Sequence, residues 1–191
     1  MIEHKLKIAF GAYFDAPIEV WKHFADLCEV VDYKKNQKIK EADKISRYGY
    51  FILEGSAGLF VRKENNHACI DLFLENSFLA DDISLISGKA SPIEIVALEN
   101  TSVLRISKSN IDILKKTPMG SMLFLIGDEN AYAEKQIQQI ALMTRTAEER
   151  YSDILHKQPE LLQRIPQKHI ASYLGITTQS LSRIRKKFSD N

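Results

Sequence analysis

The spacing of apolar residues along the chain changes near residue 30 and again near residue 107. Between these points, short runs of β-branched and aromatic residues are separated by turn-forming residues. Short strands at near-regular spacing predict an antiparallel sandwich or barrel. The predicted strands are residues 29–33, 48–53, 58–63, 67–73, 93–98 and 102–106, and the predicted turns are residues 34–36, 54–55, 64–66 and 99–100.

Helical spacing flanks this β region. Residues 17–27 read as a short amphipathic helix, and Ser107 can cap a second one over residues 108–115. Thr117 and Pro118 then begin a long helix, because Pro suits the first helical turn. Its apolar positions follow the alternating three- and four-residue spacing of a coiled-coil seam, formed by Leu123, Ile126, Asn130, Ala133, Ile137 and Ile140.

Two interpretations of this stripe stay open. It can pair two copies of the chain into a homodimer, with Asn130 helping to fix the register. It can instead pack on the chain's own β region. Phe124, Leu125 and Tyr132 lie off the seam and could do that packing, so both interpretations can hold together.

The last part of the chain predicts a helix-turn-helix. Ile170, Ala171 and Leu174 share one face of a first helix, and a turn follows at residues 175–177. A second helix runs over residues 178–187, with its buried face formed by Leu181, Ile184 and Phe188. A second helix in this arrangement can enter the major groove of DNA.

The distribution of charge supports a nucleic-acid partner. Residues 161–189 contain no Asp or Glu but six Lys or Arg residues, a local charge of +6. Removing this segment and Asp190 from the chain total of +1 leaves −4 for residues 1–160. A basic end on an acidic body favours phosphate binding through counterion release, without selecting a sequence.

Other classes of protein are disfavoured. No apolar run approaches the ~20 residues that span a bilayer, and the N-terminus lacks a signal-like apolar core, so we expect a cytoplasmic protein and no membrane partner. Cys28 and Cys69 lie too far apart to suggest a zinc or iron–sulfur site. We find no Ser/His/Asp, P-loop or metal-ligand spacing, so we expect no catalytic residues, no metal and no enzyme activity.

Three phrases carry a resemblance to a known family. YFILEGSAGLFVRK (residues 50–63) is similar to a hairpin of the β-roll in Crp/Fnr transcription regulators, and TAEERYSDIL (residues 146–155) to the start of their DNA-binding domain. IPQKHIASYLGITTQSLSRIRKKF (residues 165–188) resembles their helix-turn-helix in a Bacteroidetes-type form. The resemblance implies an α+β fold with an antiparallel β jelly-roll effector domain (residues 1–116), a long dimerisation helix (117–145) and a C-terminal helix-turn-helix domain (146–191).

The resemblance also implies a function and its residues. A homodimer would bind double-stranded DNA at a pseudo-palindromic operator, with RNA polymerase as a further partner. The side chains facing base edges would be Thr178, Gln179, Ser182 and Arg183; the fork of Arg suits guanine and Gln suits adenine. Phosphate contacts would come from Lys168, Arg185, Lys186 and Lys187.

The site for a cyclic nucleotide is expected to be degenerate. In nucleotide-binding relatives, a Gly–Glu pair is followed by an Arg that neutralises the cyclic phosphate. Here Asp81–Asp82 align with the pair, the Arg position falls near Ala90–Ser91, and Lys89 is the only cation nearby in the sequence. Adjacent carboxylates without a paired cation repel phosphate. Alternatively, the two Asp residues cap a short helix at residues 83–86.

We therefore expect a degenerate effector pocket, no response to cyclic AMP and no cofactor. The pocket residues are Asp81, Asp82, Ser84, Ala90 and Ser91. A rival function is a small-ligand sensor that acts through protein contacts rather than DNA.

Overall fold

The computed structural model describes residues 2–11, 13–63 and 66–189. The helices of this part are α1 (Ile2–Phe10), α2 (Ile18–Asp26), α3 (Asp82–Ser87), α4 (Lys108–Leu114), α5 (Pro118–Thr144), α6 (Ala147–Lys157), α7 (Pro159–Arg164), α8 (Gln167–Tyr173) and α9 (Thr178–Ser189). The strands are β1 (Cys28–Tyr33), β2 (Lys38–Lys40), β3 (Tyr48–Glu54), β4 (Ala57–Lys63), β5 (Asn66–Phe73), β6 (Phe78–Leu79), β7 (Ile93–Ala97) and β8 (Thr101–Ser107).

The strands form two four-stranded antiparallel sheets, in the orders β1-β8-β3-β6 and β2-β7-β4-β5. One apolar cluster joins their inner faces, with Tyr50, Ile52 and Val103 from the first sheet and Leu59 and Ile95 from the second. Successive side chains of a strand point to opposite faces. The next residue along each strand therefore faces outward, and helices cover both outer faces.

The outer face of the first sheet is covered by α1, α2, α4 and the beginning of α5. Phe51, Leu104 and Ile106 of the sheet pack against Trp21 of α2 and Leu123 of α5. Helix α5 begins where the sequence predicted, after Thr117. The Thr117 hydroxyl caps the helix by accepting a hydrogen bond from the Gly120 N–H at 3.0 Å. The N-terminal half of the long helix is thereby anchored on its own roll.

The outer face of the second sheet is covered by the C-terminal helices. Phe60 of β4 and Cys69 of β5 share one apolar cluster with Ile170 of α8, Leu181 of α9 and Tyr151 of α6. The second sheet and helices α6, α8 and α9 thus share a continuous core. The division of the chain at residues 116 and 145 stays a prediction.

Gly55 makes the tight turn between β3 and β4 possible. Its φ is +95°, a region that side chains disfavour, and an added Cβ would lie 2.5 Å from the Asn100 carbonyl oxygen. The turn leads β3 of the first sheet into β4 of the second sheet, so residues 50–63 connect the two sheets and do not form the hairpin that the resemblance implied.

The α+β fold class, the antiparallel sheets and the long helix are confirmed. Four elements were missed: α1, α7, and the short strands β2 and β6. The strand prediction at residues 67–73 corresponds to β5, but residues 64 and 65 of the predicted turn at 64–66 lie outside the described residues.

Candidate nucleic-acid interface and effector pocket

The two helices predicted to bind DNA are held at a fixed turn. Gly175 has a φ of +69°, which ends α8, and the Ile176 N–H donates to the Ala171 carbonyl at 2.9 Å. The Thr177 hydroxyl accepts from the Ser180 N–H at 3.1 Å and so caps the start of α9. Leu181 and Ile184 fix the inner face of α9 in the core.

Arg150 of α6 also supports the turn, and the sequence reasoning gave it no role. One of its guanidinium nitrogens donates to the Leu174 carbonyl at 2.6 Å, at the end of α8, and another donates to the Arg145 carbonyl. The guanidinium thus ties α6 to the last turn of α8. Only the fold brings these residues together, since 24 positions separate Arg150 from Leu174.

The side chains predicted to face base edges share the outer face of α9. Thr178, Gln179, Ser182 and Arg183 are all exposed. Residues three or four positions apart lie on the same side of a helix, so these four form one surface opposite Leu181 and Ile184. The arrangement presents amide, hydroxyl and guanidinium groups together, which can form hydrogen bonds with base edges.

The six basic residues of the C-terminal segment do not share one environment. Arg164 forms hydrogen bonds of 2.7 Å with both Glu75 and Glu99 of the roll. Lys187, a predicted phosphate contact, lies 2.6 Å from the Glu148 carboxylate. Within the part of the chain described, the ion pairs do not include Lys168, Arg183, Arg185 or Lys186.

We call the first of these contacts the Arg164 latch, formed by Arg164, Glu75 and Glu99. The hydrogen bond from Arg164 lowers the pKa of Glu75 to about 2. Nearby, the Ser172 hydroxyl of α8 accepts from the Cys69 N–H of the edge strand β5 at 2.9 Å. Both contacts join the C-terminal helices to the roll, one from the end of α7 and one from α8.

His169 is not expected to bind phosphate as a cation near neutral pH. Its ring packs edge-on against Phe60, with 4.9 Å between the ring centroids. Burial, together with the charge of Lys168, lowers the pKa of His169 to about 4. The imidazole is therefore neutral near neutral pH and belongs to the contact between the helix-turn-helix and the roll.

The predicted effector pocket contains a buried ion pair that the sequence reasoning missed. The Asp81 carboxylate is fully buried, and the Lys40 ammonium of β2 lies 2.6 Å from it. Ser91 donates its hydroxyl proton to the same carboxylate, and the Ser84 N–H donates at 3.1 Å. Lys89 is the only cation near Asp81 in the sequence. In the fold, however, Lys40 provides the positive charge that pairs with the Asp81 carboxylate, so the expectation of an unpaired carboxylate at Asp81 is wrong.

The other predicted pocket residues have different environments. The buried Ser84 hydroxyl donates to the Lys89 carbonyl at 2.5 Å and accepts from the Ser46 N–H. Ala90 is exposed. Asp82 lies at an open groove, where partial burial and the nearby Asp128 carboxylate raise its pKa. The side chains of the adjacent residues Asp81 and Asp82 thus lie in different environments, one in the core and one at the groove.

This groove is a cavity of about 690 Å³ between α1, the roll, α3 and α5. Its aromatic lining includes Phe10, Phe24, Phe78 and Phe124. Its polar lining is provided by side chains of both charge signs, including Asp71, Asp82, Asp128, Lys115 and Lys135. Its volume is in the range of small-molecule sites.

The predicted dimer stripe on α5 is divided between two environments. Leu123 is buried in the core of its own roll, and Asn130 lines the groove just described. Ile137 and Ile140 are exposed, as is Ala133. The exposed large apolar side chains of α5 centre on a different line along the helix and are Met119, Met122, Leu125, Tyr132, Ile137, Ile140, Leu142 and Met143.

The described part of the chain offers neither a metal-binding cluster nor a membrane-spanning helix. Among the described residues, no three His, Cys, Asp or Glu side chains are grouped closely enough to hold a metal ion. Burial raises the pKa of Cys28 and of Cys69 to about 12, so both thiols are protonated near neutral pH. No helix within residues 2–11, 13–63 and 66–189 is long and apolar enough to cross a membrane.

Comparison with known proteins finds a family model that is similar to the β-roll. Residues 30–118 match the family model described as the cyclic nucleotide-binding domain. Among curated protein sequences, none matches the chain at a significant level.

Solved structures match most of the chain. FixK2 from Bradyrhizobium japonicum superposes with a TM-score of 0.70 at 18% identity, covering 85% of each chain. The c-di-GMP-responsive global regulator CLP from Xanthomonas campestris gives 0.69 at 16% identity, covering 91% of this chain and 92% of its own. A CooA mutant from Carboxydothermus hydrogenoformans gives 0.66 at 14% identity, covering 87% and 78%.

At these identities, the likeness establishes the fold. It extends beyond the β-roll, since each match covers 85% or more of the chain. Residues 30–118 are therefore similar to a cyclic nucleotide-binding domain, and the chain shares its fold with the Crp/Fnr-type regulator structures that it matches.

Proposed function

We propose that the protein is a homodimeric, sequence-specific DNA-binding transcription regulator of the Crp/Fnr type that does not respond to cyclic AMP. The observation that carries the proposal is the outer face of α9. Thr178, Gln179, Ser182 and Arg183 are exposed on a helix whose inner face and turn are fixed. Its function would be binding rather than catalysis.

The surrounding charges support binding to a phosphate backbone. Arg183, Arg185 and Lys186 lie on the same short helix, and α9 contains no acidic residue among those described. Arg185 and Lys186 would position the protein on phosphates, whereas Arg183 and Gln179 would read bases. Lys187 is a weaker candidate than the sequence suggested, since Glu148 already neutralises it.

A homodimer would use the exposed stripe of α5. Leu125, Tyr132, Ile140 and Met143 recur at a spacing that keeps them on one side of the helix, and each is at least about half exposed. Ile137, from the originally predicted seam, lies beside this stripe. Two such helices packed together would place two recognition helices on successive half-sites of a pseudo-palindrome.

The absence of a cyclic AMP response is proposed from the effector pocket. Ser91 lies where the resemblance places an arginine, and it is hydrogen-bonded to Asp81. Lys40 is already paired with the same carboxylate. Calorimetric titration with cyclic AMP should therefore give no saturable heat.

Binding to a labelled DNA duplex over a range of salt concentrations tests the proposal. The logarithm of the association constant should fall linearly with the logarithm of salt concentration. Lys186→Ala should weaken binding to all sequences alike and reduce the magnitude of that slope by about one. Lys22→Ala is the matched control, because Lys22 is an exposed lysine on α2 in the roll; it should leave the slope unchanged.

A second candidate function is a small-ligand sensor that acts through protein contacts. The cavity of about 690 Å³ beside α5 favours it. This alternative predicts no salt-dependent affinity for DNA, so the same titration separates the two functions.

A further inference from the structure

The Lys40–Asp81 pair is buried and its polar atoms are well satisfied. Lys40 and Asp81 are 6% and 0% exposed. Besides contacting Asp81, the Lys40 ammonium donates to the Ile93 carbonyl at 2.6 Å and to the Ser91 hydroxyl oxygen at 3.2 Å. One oxygen of Asp81 accepts from the Ser84 N–H, and the other contacts Lys40 and Ser91.

Fold stability alone is a poor reason for such a pair. Removing two charges from water costs several kcal/mol per ion, and apolar residues of similar volume are often as stabilising. Part of the arrangement is structural, because Asp81 is the N-cap of α3 and its carboxylate accepts from the Ser84 N–H, as the helix-capping alternative expected. A helix cap requires neither a buried ammonium nor the Ser91 hydroxyl, so the contacts of Lys40 and Ser91 with this carboxylate call for a further explanation.

The donors around Asp81 constitute a complete receptor for an oxyanion. An ammonium from β2, a backbone N–H from α3 and a hydroxyl from Ser91, two residues before β7, converge on one carboxylate. The Asp43 N–H donates to the Ser91 carbonyl at 2.8 Å, which holds the β2 end of the site against the β7 end. The site lies within the residues that match the cyclic nucleotide-binding domain, whose ligands carry a phosphate oxyanion.

We propose that the Asp81 side chain is a built-in occupant of an oxyanion-binding site whose cationic residue is Lys40. The chain's own carboxylate takes the place of an external oxyanion and closes the site to one. Removing the carboxymethyl group should open a site that accepts a small carboxylate such as acetate. This inference concerns the roll and does not depend on DNA binding.

Chemical rescue tests the proposal. Asp81→Gly removes the side chain down to the backbone, and acetate approximates what was removed. Thermal unfolding of Asp81→Gly should occur below that of the wild type in chloride. It should shift upward saturably as acetate replaces chloride at constant ionic strength, because acetate would bind only the folded state. Wild-type protein should show no saturable shift.

A second variant identifies the cation. Asp81→Gly combined with Lys40→Met should lose the acetate-specific shift, since the receptor lacks its charge. An equal acetate shift in the single and double variants would overturn the proposal. So would identical behaviour of Asp81→Gly in acetate and chloride.

The test remains decisive if Asp81→Gly fails to fold in chloride. Recovery of a cooperative unfolding transition on refolding into acetate would then support the proposal. Failure to recover in acetate, while Asp81→Asn folds under the same conditions, would contradict it. Isothermal titration of folded Asp81→Gly with inorganic phosphate extends the test, and saturable binding that requires Lys40 is expected.

Discussion

Replacement of Arg164 by methionine isolates one contact between the C-terminal helices and the roll. The Arg164 latch contains three hydrogen bonds of 2.7 Å, two to Glu75 and one to Glu99. Methionine retains much of the aliphatic length but removes the charge and the donors. The variant should therefore lose the latch while keeping the apolar contacts between the two parts.

The contribution of the Arg164 latch to the free energy of unfolding can be worked out from the lowered pKa of Glu75. The hydrogen bond from Arg164 is the main cause, while desolvation opposes it and backbone N–H groups, including that of Gly55, assist. The difference between 4.5 and about 2 corresponds to roughly 3 kcal/mol as an upper bound. Because the side chains of Arg164 and Glu75 are 29% and 27% exposed, solvent screening reduces this to about 1–2 kcal/mol.

The sign of the pH dependence is fixed by the direction of the shift. A carboxylate with a lowered pKa in the folded state contributes its full stabilisation above its unfolded pKa of about 4.5. That contribution falls as the pH decreases from about 4.5 towards about 2, because Glu75 becomes protonated in the unfolded chain first.

Urea unfolding of the wild type and Arg164→Met measures this contribution. The free energies of unfolding should differ by about 1–2 kcal/mol near pH 7, and the difference should narrow below about pH 4.5. Arg145→Met is the control, because Arg145 pairs with Asp153 within the C-terminal helices. Arg145→Met should lower the free energy of unfolding by less than Arg164→Met does. A difference between wild type and Arg164→Met that stays constant from about pH 7 to about pH 3 would refute the reasoning.

Three further predictions concern DNA recognition, assembly and folding. Arg183→Ala should cost roughly 1–3 kcal/mol on a selected operator and relax one base preference; equal mobility-shift affinities for variant and wild type would exclude base contact by Arg183. Tyr132→Glu should yield monomers in sedimentation equilibrium, whereas Ile8→Glu, which alters a similarly exposed apolar residue on α1, should not. In thermal unfolding, Gly55→Ala should destabilise the protein by more than the ~1 kcal/mol typical of such a φ. Its Cβ would clash with the Asn100 carbonyl, whereas Gly88→Ala meets no atom within 4 Å and should show only the conformational cost.

The long strands and the long helix could be predicted because their signals are local. Runs such as residues 48–53 and 93–98 are dense in β-branched and aromatic residues, and Thr117–Pro118 marks a helix start. Strands β2 and β6 could not be predicted in this way. They have three and two residues, and β2 consists of two lysines around one isoleucine, so neighbouring strands determine their conformation.

The position of Lys40 shows a second limit of sequence reasoning. It lies 41 positions before Asp81, on a strand that the sequence did not predict. The alignment of Asp81–Asp82 with the Gly–Glu pair of the family therefore suggested two unneutralised carboxylates. The antiparallel pairing of β2 with β7 brings the Lys40 ammonium to Asp81, and no local sequence pattern indicates that pairing.

The stripe on α5 shows a third limit. Apolar residues occur on several sides of this helix, so spacing alone could not establish which side faces the roll. Leu123 was assigned to the dimer stripe, yet the fold buries it in its own core. Tyr132, one of three residues that could have packed on the roll, is 68% exposed. Contacts with α2 and the first sheet determine the rotation of the helix.

Selection of binding sites from a pool of random DNA duplexes tests the central claim most directly. The purified full-length protein should enrich one sequence family, in which two inverted half-sites lie about one helical turn, or 10 base pairs, apart. Arg183→Ala protein should enrich a family with one position of each half-site relaxed. Failure of the folded wild-type protein to enrich any sequence at low or physiological salt would contradict sequence-specific DNA binding by α9.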